Sequence, residues 1–171
     1  MRSLSSTPES FDNSRHSMTA LGHPATLPHS HDLAEASTLT TSEARLAALA
    51  QRQDAEVRAA VAVHPAASPA LLHQLAQDSH WVVLGALARN PRVTAPDLTL
   101  LAQKAWDPTL PTISFVQHLA TYVKTGLLQN RSTPRSLVQR QALLDADPEI
   151  RTMARAWLER DALSSLVTGI V

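Results

Sequence analysis

The run His29-Ser30-His31-Asp32 sets two imidazoles and a carboxylate within four residues, and these are donor types that hold a divalent metal such as zinc. Zinc needs three or four such ligands in fixed geometry. The surrounding stretch is rich in Ser, Thr, Pro and His with no sustained apolar period, so it offers no rigid scaffold, and neither a metal nor any other cofactor is expected. Of the remaining histidines, His73 and His80 are expected on solvent faces and His118 at a satisfied interface.

Cations form the second group that could do chemistry. Between Arg89 and Arg140 lie seven basic residues, Arg89, Arg92, Lys104, Lys124, Arg131, Arg135 and Arg140, against only Asp97 and Asp107. From Lys124 to Arg140 no acidic residue intervenes. Such a cluster suits phosphates, whose neutralisation releases counterions, and Tyr122 or Trp106 could stack on a base. The competing expectation is a solvated face, with Arg131, Arg135 and Arg140 pairing with Asp145, Asp147 and Glu149.

Catalytic signatures are sparse. The sequence has no glycine-rich phosphate loop, no Gly-x-Ser-x-Gly elbow and no His-Glu-x-x-His helix. It has no cysteine, which excludes disulfides, thiolate metal sites and a cysteine nucleophile. A non-catalytic protein is therefore expected. Fifteen basic residues balance fifteen acidic ones, so any electrostatic address must be local. No apolar run approaches a membrane span, and the first residues lack the apolar stretch of a secretory signal. A soluble, cytoplasmic protein without membrane contact is the expectation.

The elements that would carry these groups are helices. Alanine and leucine dominate, while the chain has only 4 glycines and 2 phenylalanines among its 171 residues, an alphabet that favours helix over strand. Residues 1–40 are expected to be a disordered tail, because they cannot bury enough surface to offset their ordering entropy. Beyond residue 40 the chain repeats itself every 26 residues: "SEARLAALAQ" at 42–51, "SPALLHQLAQ" at 68–77 and "TAPDLTLLAQ" at 94–103 align without gaps. Ser42, Ser68 and Thr94 share a column, as do Leu46, Leu72 and Leu98; Leu49, Leu75 and Leu101; Ala50, Ala76 and Ala102; and Gln51, Gln77 and Gln103.

Each unit reads as two short helices around a proline corner. A hydroxyl or carboxylate ahead of a proline marks a helix start at Ser68-Pro69, Thr133-Pro134 and Asp147-Pro148. His64-Pro65 and Asn90-Pro91 mark helix ends. One such unit exposes an apolar face, which stacking covers.

The stretch "DAEVRAAVAVHPAASPALLHQLAQD", residues 54–78, resembles the leucine-rich repeat variant family, whose all-helical repeats are related in architecture to HEAT-like solenoids. The resemblance rests on Asp54, Val57, Arg58, Ala62, His64, Pro65, Leu71, Leu72, Leu75 and Ala76. The second copy has Leu84 where the arginine is expected, and "DPEIRTMARAWL" at 147–158 restores Asp147, Ile150 and Arg151. The resemblance implies an all-α, right-handed α-solenoid of about three to four two-helix repeats over residues 41–171, and no single activity. Asp107 beside Trp106 faintly resembles the acidic and aromatic groups of HEAT-like DNA glycosylases, but it matches no motif.

The third copy is interrupted. The corner after Asn90 recurs only at Asn130, so about 14 residues have been added, and a helix is expected over about 112–125, capped by Thr112 and ended before Gly126. Phe115, Leu119 and Tyr122 share one face of it, with His118 beside them. That flank is the candidate surface for an unidentified protein partner, and nucleic acid on Lys124, Arg131, Arg135 and Arg140 is the alternative. "LSSLVTGIV" at the end is expected to cap the stack. The sequence gives no indication of oligomeric state.

Overall fold

The structure, a computed structural model, describes residues 28–110 and 114–168. The described residues hold helices joined by short turns, with no strand. In chain order the helices are α1 Pro28–Ala36, α2 Glu43–Leu49, α3 Ala55–Val63, α4 Pro69–Leu75, α5 Trp81–Arg89, α6 Ala95–Ala105, α7 Ser114–Gln129, α8 Arg135–Leu144 and α9 Pro148–Thr168. No described helix is long and apolar enough to cross a membrane.

Helix starts follow the local chemistry of the sequence. The Ser42 and Ser68 hydroxyls accept from the amides of Arg45 and Leu71 at 3.4 and 3.3 Å, and the Asp54 and Asp147 carboxylates accept from those of Glu56 and Glu149, both at 2.8 Å. Each cap satisfies a first-turn amide that has no partner within its own helix. Thr133 departs from the expected pattern. Its hydroxyl donates to the Leu127 carbonyl at 2.6 Å, tying the turn back to α7, and Pro134 starts α8 without a side-chain cap.

Helices α1, α3, α5 and α7 pack side by side in chain order, and α9 continues against α7. Leu46, Leu72 and Leu98 are fully buried, as are Leu49 and Leu101, with Leu75 nearly so. At about 1.5–3 kcal/mol for each fully buried leucine, these columns dominate the core. A second, smaller apolar cluster joins Leu128 of α7 to Val138, Ala142, Ile150, Ala154 and Trp157 of α8 and α9.

Helix α1 corrects the expected boundary of the tail. It lies within the stretch read as disordered, and it packs on α3 through Ala36, which is fully buried 26 residues before the equally buried Ala62. Two arginines hold it from outside the core. Arg45 pairs with Glu35 at 2.7 Å, and Arg52 with Asp32 at 2.8 Å. The Arg45 hydrogen bond holds the Glu35 carboxyl below the usual carboxylate range. Residues 1–27 lie outside the described residues.

Turns between paired helices are closed by cations that bind carbonyls. Arg58 donates to the carbonyls of Arg52 and Gln53 at 2.8 and 2.7 Å, and Arg151 donates to those of Asp145 and Ala146 at 2.7 and 3.1 Å. These carbonyls stand six and five residues before each arginine. Leu84 occupies the matching place in the second copy and can donate nothing. There Lys104 reaches in from α6 to the carbonyls of Ala76 and Asp78, at 3.0 and 3.1 Å. Its removal from water pushes the Lys104 ammonium below the usual lysine range.

Helix α7 also differs from its expected limits. It runs to Gln129 and passes through Gly126, while the proposed cap Thr112 lies outside the described residues. Gly126 continues the helix because its missing side chain lets α5 come close: a Cβ there would stand 2.9 Å from Ala88 Cβ and 3.2 Å from the Gly85 carbonyl oxygen. Gly85 does the same from the other side, and a Cβ on it would lie 2.0 Å from the Tyr122 ring. Gly85→Ala is accordingly expected to expel that ring and cost about 1–3 kcal/mol by overpacking. A thermal melt of G85A beside G85A/Y122A checks this, since removing the ring should recover part of the loss.

Candidate functional site

Helix α7 is buried along one side by Ala120, Val123, Leu127 and Leu128, which places its other side outward. Phe115 is 70% exposed there, the largest exposed aromatic surface among the described residues. His118 is exposed and Leu119 half-buried on the same flank. Tyr122 is 41% exposed on this flank and also packs against α5. Its ring lies over Gly85, and the Arg89 guanidinium sits 4.1 Å from its centroid while donating to the Gly85 carbonyl at 2.8 Å. Tyr122 thus packs over the α5–α7 crossing while 41% of its surface stays exposed, so Phe115, Leu119 and Tyr122 are the apolar groups a partner could cover.

The four cations of the alternative reading are not equivalent. Lys124 is largely buried, and its ammonium lies 3.1 Å from the Asp145 carboxylate and 5.9 Å from the centroid of the Trp106 ring. Asp145 is itself fully enclosed. It also accepts from the Trp106 indole N–H, and from the Asp147 amide at 2.9 Å. Asp145 therefore ties together the ends of α6 and α8 and the middle of α7. Arg135 pairs with Asp161 of α9. Arg131 and Arg140 are exposed and make no ion pair among the described residues. The pairing expected of Arg131, Arg135 and Arg140 with Asp145, Asp147 and Glu149 is replaced by these contacts.

Arg131 lines a cavity of about 370 Å³ with Gln129, Trp157, Arg160, Asp161 and Ser164. Its walls set two arginines against one carboxylate, and that carboxylate is already engaged by Arg135.

Of the group His29, His31 and Asp32, the described side chains are committed elsewhere. His31, Asp32 and Glu35 do bring ligand atoms within 4.8 Å of one another. However, Arg45 lies 2.7 Å from Glu35 and 3.6 Å from Asp32, and Arg52 lies 2.8 Å from Asp32. Two guanidiniums already neutralise the carboxylates, and a cation would have to displace them. His73, exposed as expected, contacts the buried Asp97 through Nδ1 at 2.6 Å, while the Thr94 hydroxyl donates to the other Asp97 oxygen at 2.7 Å. No described serine or threonine oxygen hydrogen-bonds the His73 ring, so the contact joins α4 to α6 and presents no activated nucleophile.

Sequence reading missed a buried polar chain at the corners. Asn90 Nδ2 donates to the Ala62 carbonyl at 2.8 Å, and Asn130 Nδ2 donates to those of Ala88 and Asn90, both at 2.9 Å. His64 Nε2 lies 3.0 Å from the Thr38 carbonyl. His64, Asn90 and Asn130 are at most 4% exposed. The signal was available in the corner pairs before proline, where a polar side chain recurs at a place that stacking must bury. No family model, curated protein or solved structure matches the chain.

Proposed function

We propose that this chain is a short right-handed α-solenoid of about three to four two-helix repeats with a period of 26 residues, related to the leucine-rich repeat variant family, and that it is a non-catalytic module for binding another protein. The repeat reading is supported by the cation-closed turns and by the corner side chains, each of which reaches back one unit. The binding reading is carried by one observation: Phe115 stands 70% exposed near the start of α7, on the length by which this helix exceeds α3 and α5, while the other side of the helix is packed. A large aromatic group held in this way is the usual anchor of a protein contact. The nucleic-acid alternative loses two of its four cations to internal pairs.

The test is capture from native lysate with the full chain as bait, with and without nuclease, repeated with Phe115→Ser and Leu119→Ser together. A discrete partner that survives nuclease and is weakened at least ~30-fold by the double variant, on the scale of a lost anchor, supports the reading. Recovery that vanishes with nuclease, or a partner indifferent to the two substitutions, overturns it.

A further inference from the structure

Free cations are few among the described residues, and they are not scattered. Every described arginine except Arg131, Arg140 and Arg160 binds a carboxylate or a backbone carbonyl, and so do both lysines. Two of the three exceptions, Arg131 and Arg160, line a single cavity of about 370 Å³ between the turn after α7 and one face of α9. Gln129 lines it too, and among the described residues its carboxamide makes no hydrogen bond either. Trp157 forms a fixed wall, since it is 8% exposed and belongs to the apolar cluster around Leu128. Among the lining residues Asp161 carries the one carboxylate, and Arg135 pairs with it. The cavity therefore keeps two guanidinium charges that no described residue neutralises.

We propose that this cavity binds a phosphate monoester, with Arg131 and Arg160 holding the phosphoryl group. A monoester carries about −1.5 to −2 charges near neutral pH and presents three strong acceptor oxygens, which matches two guanidiniums. A carboxylate brings a single charge and leaves one of the two arginines uncompensated. Gln129 and Ser164 bring N–H and O–H groups to the same walls for the oxygens that remain. Trp157 offers an apolar surface to the carbon body of the ester. The volume lies within the range of small-molecule pockets, about 300–1,000 Å³.

The distribution of charge selects a single phosphate group over a nucleic-acid backbone. A polyanion is held along a track of free cations. Outside the cavity only Arg140 is free among the described residues, and it does not line the walls. The other hollow, of about 380 Å³, makes the contrast: it also holds two arginines, but Arg52 pairs with Asp32 and Arg58 with Asp78. The proposed site is separate from the Phe115 flank and does not depend on that reading.

The experiment titrates phenyl phosphate into the full chain by calorimetry, beside benzoate, a phosphoserine peptide and a short single-stranded RNA without a terminal phosphate. The variants are R131Q/R160Q and, as the free cation outside the cavity, R140Q. Arg131 and Arg160 are exposed and unbonded, so the double variant should melt with the wild type, which a thermal scan verifies. Three results together support the site. Phenyl phosphate binds R131Q/R160Q at least about tenfold more weakly, the scale of one lost hydrogen bond to a charged group. It binds R140Q as it binds the wild type. Its affinity falls as the pH drops through about 6, where the monoester takes up its second proton. A phosphoserine peptide that binds more tightly than phenyl phosphate, with the same dependence on Arg131 and Arg160, supports the site and makes a phosphorylated side chain its source; the reverse order makes the source a small ester. Failure of both monoesters to bind at millimolar concentration, or benzoate bound as tightly as phenyl phosphate, overturns the proposal. RNA bound more tightly than either monoester, and weakened as much by R140Q as by R131Q/R160Q, also overturns it.

Discussion

Asp145→Ala is expected to lower stability by about 3–5 kcal/mol, the cost of removing one partner from a buried ion pair and leaving the other charge behind. The side chain has no exposure, and that of Lys124 has only 12%, so water cannot readily replace the lost carboxylate. The Trp106 indole N–H and the Asp147 amide lose their acceptor in the same step. Asp145→Asn should fall between the two, because the amide keeps an acceptor oxygen but turns an N–H toward one of three donors. Its enclosure also makes the pair insensitive to salt, unlike the exposed contact of Arg135 with Asp161. A urea melt at low and high salt, followed by amide exchange, checks both points. Protection should be lost first in α8 and α9, because their apolar cluster meets the rest of the chain mainly through Leu128. A variant that melts within about 1 kcal/mol of the wild type would show that Asp145 is not the tie between these helices.

How much of this was legible depends on the separation of the groups involved. The leucine columns were readable because burial imposes a local period, and each leucine could be assigned without knowledge of its neighbours. Helix α1 escaped for a physical reason: Glu35 stands where Val61 and Leu87 lie, and Asp32 where Arg58 lies, so the apolar stripe is broken. Carboxylates are tolerated there because Arg45 and Arg52 reach them from the next unit. Only Ala36, in register with Ala62 and Ala88, marked the helix. The Asp145 site could not have been found, since its partners lie 39 and 21 residues away and come together through an insertion of no regular period. For the candidate surface, the helical face of Phe115 and Leu119 was visible in the spacing. The fate of Tyr122 depended on Gly85, in a different helix. The Lys104 contacts show the same limit in reverse, because a substitution at Leu84 was visible while its compensation from α6 was not.

Asn130→Ala is the second large effect, and it tests whether the corner chain holds one unit to the next. Asn130 Nδ2 serves two carbonyls, those of Ala88 and Asn90, and Oδ1 accepts from the Ser132 amide at 2.9 Å. Ser132 is exposed and water can take over its amide, and the Asn90 carbonyl keeps the Val93 amide at 3.2 Å, so the cost falls on the Ala88 carbonyl. One unsatisfied buried group costs about 1–3 kcal/mol, and that is the loss expected in a thermal or urea melt. Asn130→Asp separates the two roles. It keeps the acceptor for Ser132 but aims a carboxylate at two carbonyl oxygens, so at neutral pH it should be no more stable than the alanine variant. If the aspartate instead matched the wild type, the turn contact would matter and the reach to α5 would not. His64 supplies the converse case. Its Nδ1 accepts from the Ala66 amide at 3.1 Å, which leaves Nε2 to carry the proton and donate to the Thr38 carbonyl. Nitrogen-15 NMR should find that tautomer. Asparagine offers the same donor and acceptor on a shorter arm, as Asn90 does in reaching the carbonyl 28 residues before it rather than 26. His64→Asn is therefore expected to transfer its bond to the last turn of α1 and stay within about 1 kcal/mol of the wild type, while His64→Ala loses both contacts. A chain that tolerates the exchange at one corner and fails on alanine at another is held together by the donor–acceptor pair itself, whichever side chain presents it.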